Sequence, residues 1–302
     1  MSIGWRELIK RTAIEVYEDD CLGLAAQLAY YFILALFPAL LFLLALASFF
    51  PIDQVTDEVM RGLANVAPPD VVQLITGQMQ RIAESDHGGL LTLGILGALW
   101  SSSSALAGLI GALNTAYDIK ENRPWWKVRL LAMGLTIALA LFLLLSSTLV
   151  IAGPEIAGKL ANIFGLGAAF TWTWNILQWP FALGLVISAL ALVYYYGPDA
   201  EQDWVWITPG AMLATLLWLG ISLGFRAYLQ YAADYNATYG TIGGVIVLLL
   251  WLYFSGFAIL VGAEMNAEIE HASPYGKAPG EKVAGERRRL GPAAARARIT
   301  RS

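Results

Sequence analysis

Six long apolar runs decide what this chain can fold into: Leu24–Phe50, Leu90–Ala116, Leu130–Ala152, Ile176–Tyr196, Val205–Leu229 and Ile242–Ala263. A helix rises about 1.5 Å per residue, so about 20 apolar residues cross a hydrocarbon core of about 30 Å. Every run is long enough. Charged residues make up 14% of the chain, against about 25% in soluble domains, and this deficit supports the same reading independently. The expected fold class is all-α: a polytopic membrane protein with six transmembrane helices.

The distribution of Lys and Arg sets the expected orientation, because basic residues near span ends mark the cytoplasmic side. Arg6, Lys10 and Arg11 precede the first run, and Lys120, Arg123, Lys127 and Arg129 lie between the second and third. The tail adds Lys277, Lys282, Arg287, Arg288, Arg289, Arg296, Arg298 and Arg301. These are fifteen of the 19 basic residues; Arg61, Arg81 and Lys159 fall on the opposite side, and Arg226 falls within a run. Both termini are therefore expected in the cytoplasm. The loop Gly197–Trp204 gives no help, offering Asp199, Glu201 and Asp203 without a base.

The organisation expected is a cytoplasmic amphipathic segment over 1–23, a six-helix domain over 24–271 with an outer amphipathic segment over 51–89, and a disordered basic tail over 272–302. In the first segment Trp5, Leu8, Ile9, Thr12 and Val16 recur at helical spacing with bases on the other faces, the pattern of an interfacial helix. The first run starts more than 20 residues in and is too long for a signal-peptide core, so it is expected to be retained. Cys21 is the sole cysteine, which leaves no intramolecular disulfide and no Cys-based metal site. His87 and His271 are too far apart in the expected topology to share a metal. No catalytic set, metal site or cofactor is expected, and the tail lacks the interleaved aromatics of a nucleic-acid surface.

Several polar or helix-breaking residues stand inside the runs. Pro38 predicts a kink in the first helix, since proline removes a donor and crowds the carbonyl four residues earlier. Ser101-Ser102-Ser103-Ser104 follows Trp100 near mid-span. Small residues recur every four positions there, through Gly97, Ser101 and Ala105 and through Ser104, Gly108 and Ala112. That spacing suits a close helix seam; the other reading is a polar wall completed by Gln27 and Asn114. Arg226 lies near the outer end of the fifth run, where it can snorkel, pair with Asp234 or grip a lipid phosphate. Asn236, Tyr239 and Gly240 lead into Gly240-Thr241-Ile242-Gly243-Gly244, a stretch that permits either non-helical, ligand-binding backbone or a capped tight turn. Glu264 and Glu268 are one helical turn apart with Asn266 beside them, placed for proton exchange or as an anchor for an arginine or for Asn114.

The chain resembles the bacterial inner-membrane family called BrkB or YihY-like, once labelled ribonuclease BN. The stretches that carry the resemblance are Ala29-Tyr30-Tyr31-Phe32 with Leu36-Phe37-Pro38, Ala98-Leu99-Trp100-Ser101, Ala112-Leu113-Asn114-Thr115-Ala116-Tyr117 and Arg123-Pro124-Trp125-Trp126. Tyr235-Asn236-Ala237-Thr238-Tyr239-Gly240 and Gly262-Ala263-Glu264-Met265-Asn266-Ala267-Glu268 complete it. It implies a six-helix bundle in the bacterial inner (cytoplasmic) membrane with cytoplasmic termini, and it implies no established activity. A hydrolytic nuclease needs metal ligands or an acid–base pair around a phosphate, and the soluble segments offer neither.

The function expected is that of a transporter-like protein handling a lipid or other amphiphile, and not of an enzyme. The alternative is a non-transporting envelope scaffold. The expected partners are membrane lipids, with anionic inner-leaflet lipid at the basic tail, and a second copy or another membrane protein; nucleic acid is not expected.

Overall fold

The computed structural model of the protein describes residues 4–47, 88–151, 153–165, 167–231, 235–273 and 276–284. Among them the chain forms helices α1 (Trp5–Glu18), α2 (Cys21–Ala47), α3 (Gly88–Ala116) and α4 (Trp125–Ile151). It continues with α5 (Gly153–Phe164), α6 (Gly167–Tyr196), α7 (Trp204–Tyr231) and α8 (Tyr235–His271). Six of these helices, α2, α3, α4, α6, α7 and α8, are long and apolar enough to cross a membrane. A lipid interior cannot hydrogen-bond exposed backbone, so each apolar run satisfies its amides within its own helix.

The six long helices close into a ring in the order α2, α3, α4, α6, α7, α8, with α8 returning to α2 and also touching α3. The main core lies at one end of this ring. It takes Cys21, Ala25 and Leu28 from the start of α2, Leu109 to Ala116 from the end of α3 and Tyr194 from the end of α6. Ile207, Ala211 and Ala214 come from the start of α7, and Leu260, Ala263 and Ala267 from the last turns of α8. Small residues dominate these contacts, which lets the backbones approach closely. The extreme case is α7 against α8, where a Cβ on Gly262 would lie 2.5 Å from the carbonyl oxygen of Gly210.

Helix α1 docks at the same end. Leu8 and Thr12 are buried, with Leu8 against Met265 and Ile269 of α8. Trp5 and Ile9 remain 63% and 65% exposed. The helix therefore divides its apolar residues between the protein and its surroundings.

Asp19 closes α1 and Asp20 begins the turn into α2, with its side chain accepting from the Gly23 amide at 3.2 Å. Burial, and then the charges of Asp118 and Glu18, push the Asp19 carboxyl up to about 6 from an ordinary 3.8. The sign follows from linkage: the folded state holds this proton more tightly than the unfolded chain, so stability falls as pH rises from about 4 through 6. Asp19→Asn is expected to leave the melting temperature unchanged near pH 4 and to raise it near neutrality. Equal melting of the two proteins at both pH values would count against the burial of this carboxylate.

Two boundaries depart from the sequence expectation. Helix α5 occupies the stretch between the third and fourth runs, to which the sequence assigned no element, burying the i, i+4 face Gly153, Ala157 and Ala161 while Ile163 and Phe164 stay exposed. Residues 276–284, assigned to the disordered tail, pack instead on the ring: Lys277 and Glu281 are buried, and Lys282 pairs with Asp199. The outer amphipathic segment over 51–89 lies almost wholly outside the described residues.

Candidate functional site

Buried polar groups concentrate at the end of the ring that carries α1. Asn114, 3% exposed near the end of α3, donates to Glu121 at 2.9 Å and accepts from the Asp199 amide at 2.8 Å. Arg123 grips Glu121 through two nitrogens at 2.8 and 2.6 Å and donates to the Gly197 carbonyl at 2.7 Å. Burial acts to raise the Glu121 carboxyl, but the bonds from Arg123 and Asn114 outweigh it and hold the group below its ordinary value. One amide side chain and one arginine thus tie the α3–α4 loop to the α6–α7 loop. Of the three acids of that second loop, which had no base of their own in sequence, Asp199 meets two here, Arg123 and Lys282.

Helix α8 supplies the rest. Glu264 is 1% exposed and accepts from the Cys21 thiol at 3.3 Å. Asn266 is fully buried and its oxygen accepts from the Gly210 amide of α7 at 2.7 Å. Glu270 meets Lys277 at 2.6 Å, and Lys277 also donates to the Glu201 carbonyl. Tyr117 is buried among them, and burial followed by the charge of Glu270 pushes its phenol upward. Glu264 and Asn266 join α8 to α2 and to α7, and the Glu270–Lys277 pair joins α8 to residues 276–284 and the α6–α7 loop. As an ensemble they act as a polar clamp on the closed end of the ring.

The structure separates the remaining candidates. Asn114 does not meet Glu264, contrary to one expectation, because the α3–α4 loop captures it first. Ser101 is exposed and lines no seam; the buried pair is Ser102 and Ser103, which bond the carbonyls of Leu99 and Trp100 on their own helix at 3.1 and 2.8 Å. Gln27 donates to Tyr31 at 3.2 Å on the flank of α2, away from Asn114. Gly108 does lie in a close contact, with the Tyr31 ring against it. Helix α2 runs unbroken through Pro38. Arg226 is exposed, and Asp234 lies outside the described residues. Asn236, Tyr239 and Gly240 are helical, as is the whole stretch Gly240–Gly244. Neither non-helical backbone nor a tight turn forms there, because in an apolar surround an unpaired backbone group costs several kcal/mol and a helical glycine only about 1 kcal/mol.

The sequence reading missed Arg129, counting it as a loop base because the apolar run begins at Leu130. It stands inside α4, in a span that begins at Trp125. Where α3 meets α4, Ile110 packs against Ala132 and Leu135, with Ala107 and Val128 beside them. From that level the Arg129 side chain reaches farther into the span: it donates to Ser104 Oγ at 3.1 Å and to the Trp100 carbonyl, and lies 4.2 Å from the centre of the Trp100 ring. Its Nε is buried and has no partner. Arg129 lines a groove of about 580 Å³ with Trp100, Glu121, Arg123, Trp125 and Val128. Ser104 was legible as polar; its partner was not. Among the described residues no three His, Cys, Asp or Glu side chains converge as metal ligands.

Fold and polar clamp together define a class: a helical integral membrane protein with six apolar helices fastened at one end by buried side chains. The chain belongs to the BrkB family, whose model, described as Virulence factor BrkB, matches residues 13–286. It is similar to the ribonuclease-like protein YfkH of Bacillus subtilis (strain 168), 39% identical over 247 residues, 80% of this chain and 88% of that one. It is also similar to the UPF0761 membrane protein RSc1559 of Ralstonia nicotianae, 24% identical across 83% of this chain and 56% of the relative. The UPF0761 membrane protein Smlt0865 of Stenotrophomonas maltophilia is 25% identical, across 83% and 58%. The chain thus spans little more than half the length of these two UPF0761 relatives. No solved structure matches.

Proposed function

We propose that this protein sits in the bacterial inner membrane with both termini in the cytoplasm and handles a lipid or other amphiphile in the manner of a transporter. The observation that carries the reading is where the accessible polarity lies. Inside the ring, Asn114 bonds the two loops beside it, while Glu264 and the Asn266 oxygen each bond a neighbouring helix. Gln27, Ser101, Ser104 and Arg129 lie toward the flanks, on faces that a bilayer covers. A solute crossing in water needs polar groups along an axial path. An amphiphile needs them on the flank, where its head can lodge while its chains stay in the hydrocarbon.

The test is lipid flux in proteoliposomes containing the full chain. Fluorescent phospholipid in the outer leaflet and in the protected inner pool is exposed to a chemical quencher. The expected result is loss of the protected signal beyond protein-free vesicles, at a rate lowered at least about tenfold by Arg129→Gln, a fall equal to about 1.4 kcal/mol in barrier. Glu264→Gln and Arg226→Ala run alongside as probes of the clamp and of the opposite end. No flux from folded protein would transfer the argument to a scaffold that binds a partner membrane protein.

A further inference from the structure

We infer that the groove beside Arg129 is a binding site for the phosphate of an anionic phospholipid; the inference takes its ligand class from the amphiphile reading above. A guanidinium carries five N–H donors in a planar fork that matches two oxygens of a phosphate. Arg129 gives one N–H of each terminal nitrogen to Ser104 and to the Trp100 carbonyl, which leaves one N–H on each, and its buried Nε has no partner. No carboxylate pairs with it among the described residues. Glu121, the acid of the same groove, is held by Arg123 and Asn114. The groove therefore retains a positive charge one turn into a span that begins at Trp125, and its partial withdrawal from water carries a cost. A bound anion offsets that cost.

The walls specify a lipid rather than a dissolved ion. Trp125, 73% exposed at the start of its span, is an amphipathic ring of the kind that settles at the headgroup level, and Trp100, 50% exposed, forms an aromatic wall deeper in. The groove lies between α3 and α4, two helices that are apolar over most of their length. A lipid reaches it by sliding along the bundle with its chains still in hydrocarbon. Free phosphate would have to shed its water to enter, with nothing but the head site to bind.

The experiment is native mass spectrometry of the purified full-length protein with phosphatidylglycerol, and with phosphatidylcholine as the zwitterionic comparison. Wild type is expected to retain phosphatidylglycerol preferentially, and Arg129→Gln to retain it at least about tenfold more weakly, the loss expected for a hydrogen bond to a charged group. Arg129→Lys keeps the charge without the fork and should fall between them. Trp125→Ala, on a largely exposed residue, should weaken retention severalfold without disturbing the fold, so the test survives if Arg129→Gln does not fold. Excess inorganic phosphate should leave the adduct in place. Displacement by phosphate, or retention unchanged in Arg129→Lys and Trp125→Ala, would overturn the assignment. Selective retention without flux would uphold this site and refute the transport reading; flux with retention indifferent to Arg129 would do the reverse.

Discussion

Gly210→Ala and Gly262→Ala are each expected to destabilise the protein by about 3 kcal/mol or more, beyond the usual range for an added methylene in a packed interior. The reason is that the nearest obstructing atom at each position is a backbone carbonyl oxygen of the facing helix, which no side-chain rotation can move. A Cβ on Gly262 would stand 2.5 Å from the Gly210 carbonyl oxygen, 2.6 Å from Tyr194 Oη and 2.8 Å from Ala214 Cβ. A Cβ on Gly210 would collide with the Gly262 carbonyl and with the Asn266 amide that accepts from the Gly210 N–H. Relief requires α7 and α8 to separate, and separation breaks the Asn266 bond as well. Gly220→Ala and Gly224→Ala supply the control, because neither Cβ would meet any atom within 4 Å. Those two should melt at or above the wild-type temperature, since alanine favours a helix over glycine by up to about 1 kcal/mol. The measurement is thermal unfolding of the detergent-purified proteins. Identical melting of all four variants would mean that α7 and α8 do not touch through these glycines.

The spans were legible in the sequence because their cause is local. Length and apolarity alone decide whether a segment can cross a bilayer, and each of the six runs coincides with a helix. Their boundaries were less legible. Helix α6 begins at Gly167 rather than near Ile176, and α8 runs from Tyr235 to His271, because helix continues as long as the backbone lacks a better partner. Helix α5 escaped because its buried face consists only of Gly153, Ala157 and Ala161. Small residues at i, i+4 signal close packing and not burial of apolar bulk.

The candidate site was legible as residue types and not as pairings. Asn114, Glu264 and Asn266 were visible as polar groups in or beside apolar runs, and all three prove buried. What each one bonds depends on contacts far apart in sequence, such as Asn114 with Asp199 or Glu264 with Cys21. Arg129 shows the same limit from the other side. Whether a base at a helix start turns out to water or inward along a neighbour is set by that neighbour, and Ser104 and Trp100 lie on a different helix.

Removing one member of the Lys277–Glu270 pair is expected to cost about 3–5 kcal/mol, far more than an exposed ion pair is worth. Both side chains are 4% exposed, and the contact is 2.6 Å. Lys277→Met would strand the Glu270 carboxylate next to Tyr117 with no base to compensate it, and would also leave the Glu201 carbonyl without its donor. The double variant Lys277→Met, Glu270→Met removes both charges and should recover a large part of the loss, since a well-packed apolar pair often equals a buried ion pair. The pair also fastens residues 276–284 across the closed end, where the Lys282 carbonyl accepts from the Glu201 amide at 2.9 Å. Its loss should therefore do more than lower the melting temperature. Trypsin should cut after Lys282 faster in Lys277→Met than in wild type at a temperature where both remain folded, because the segment that presents this bond is then released from the ring. Unchanged cleavage together with unchanged melting would mean that the segment is held by something other than this pair.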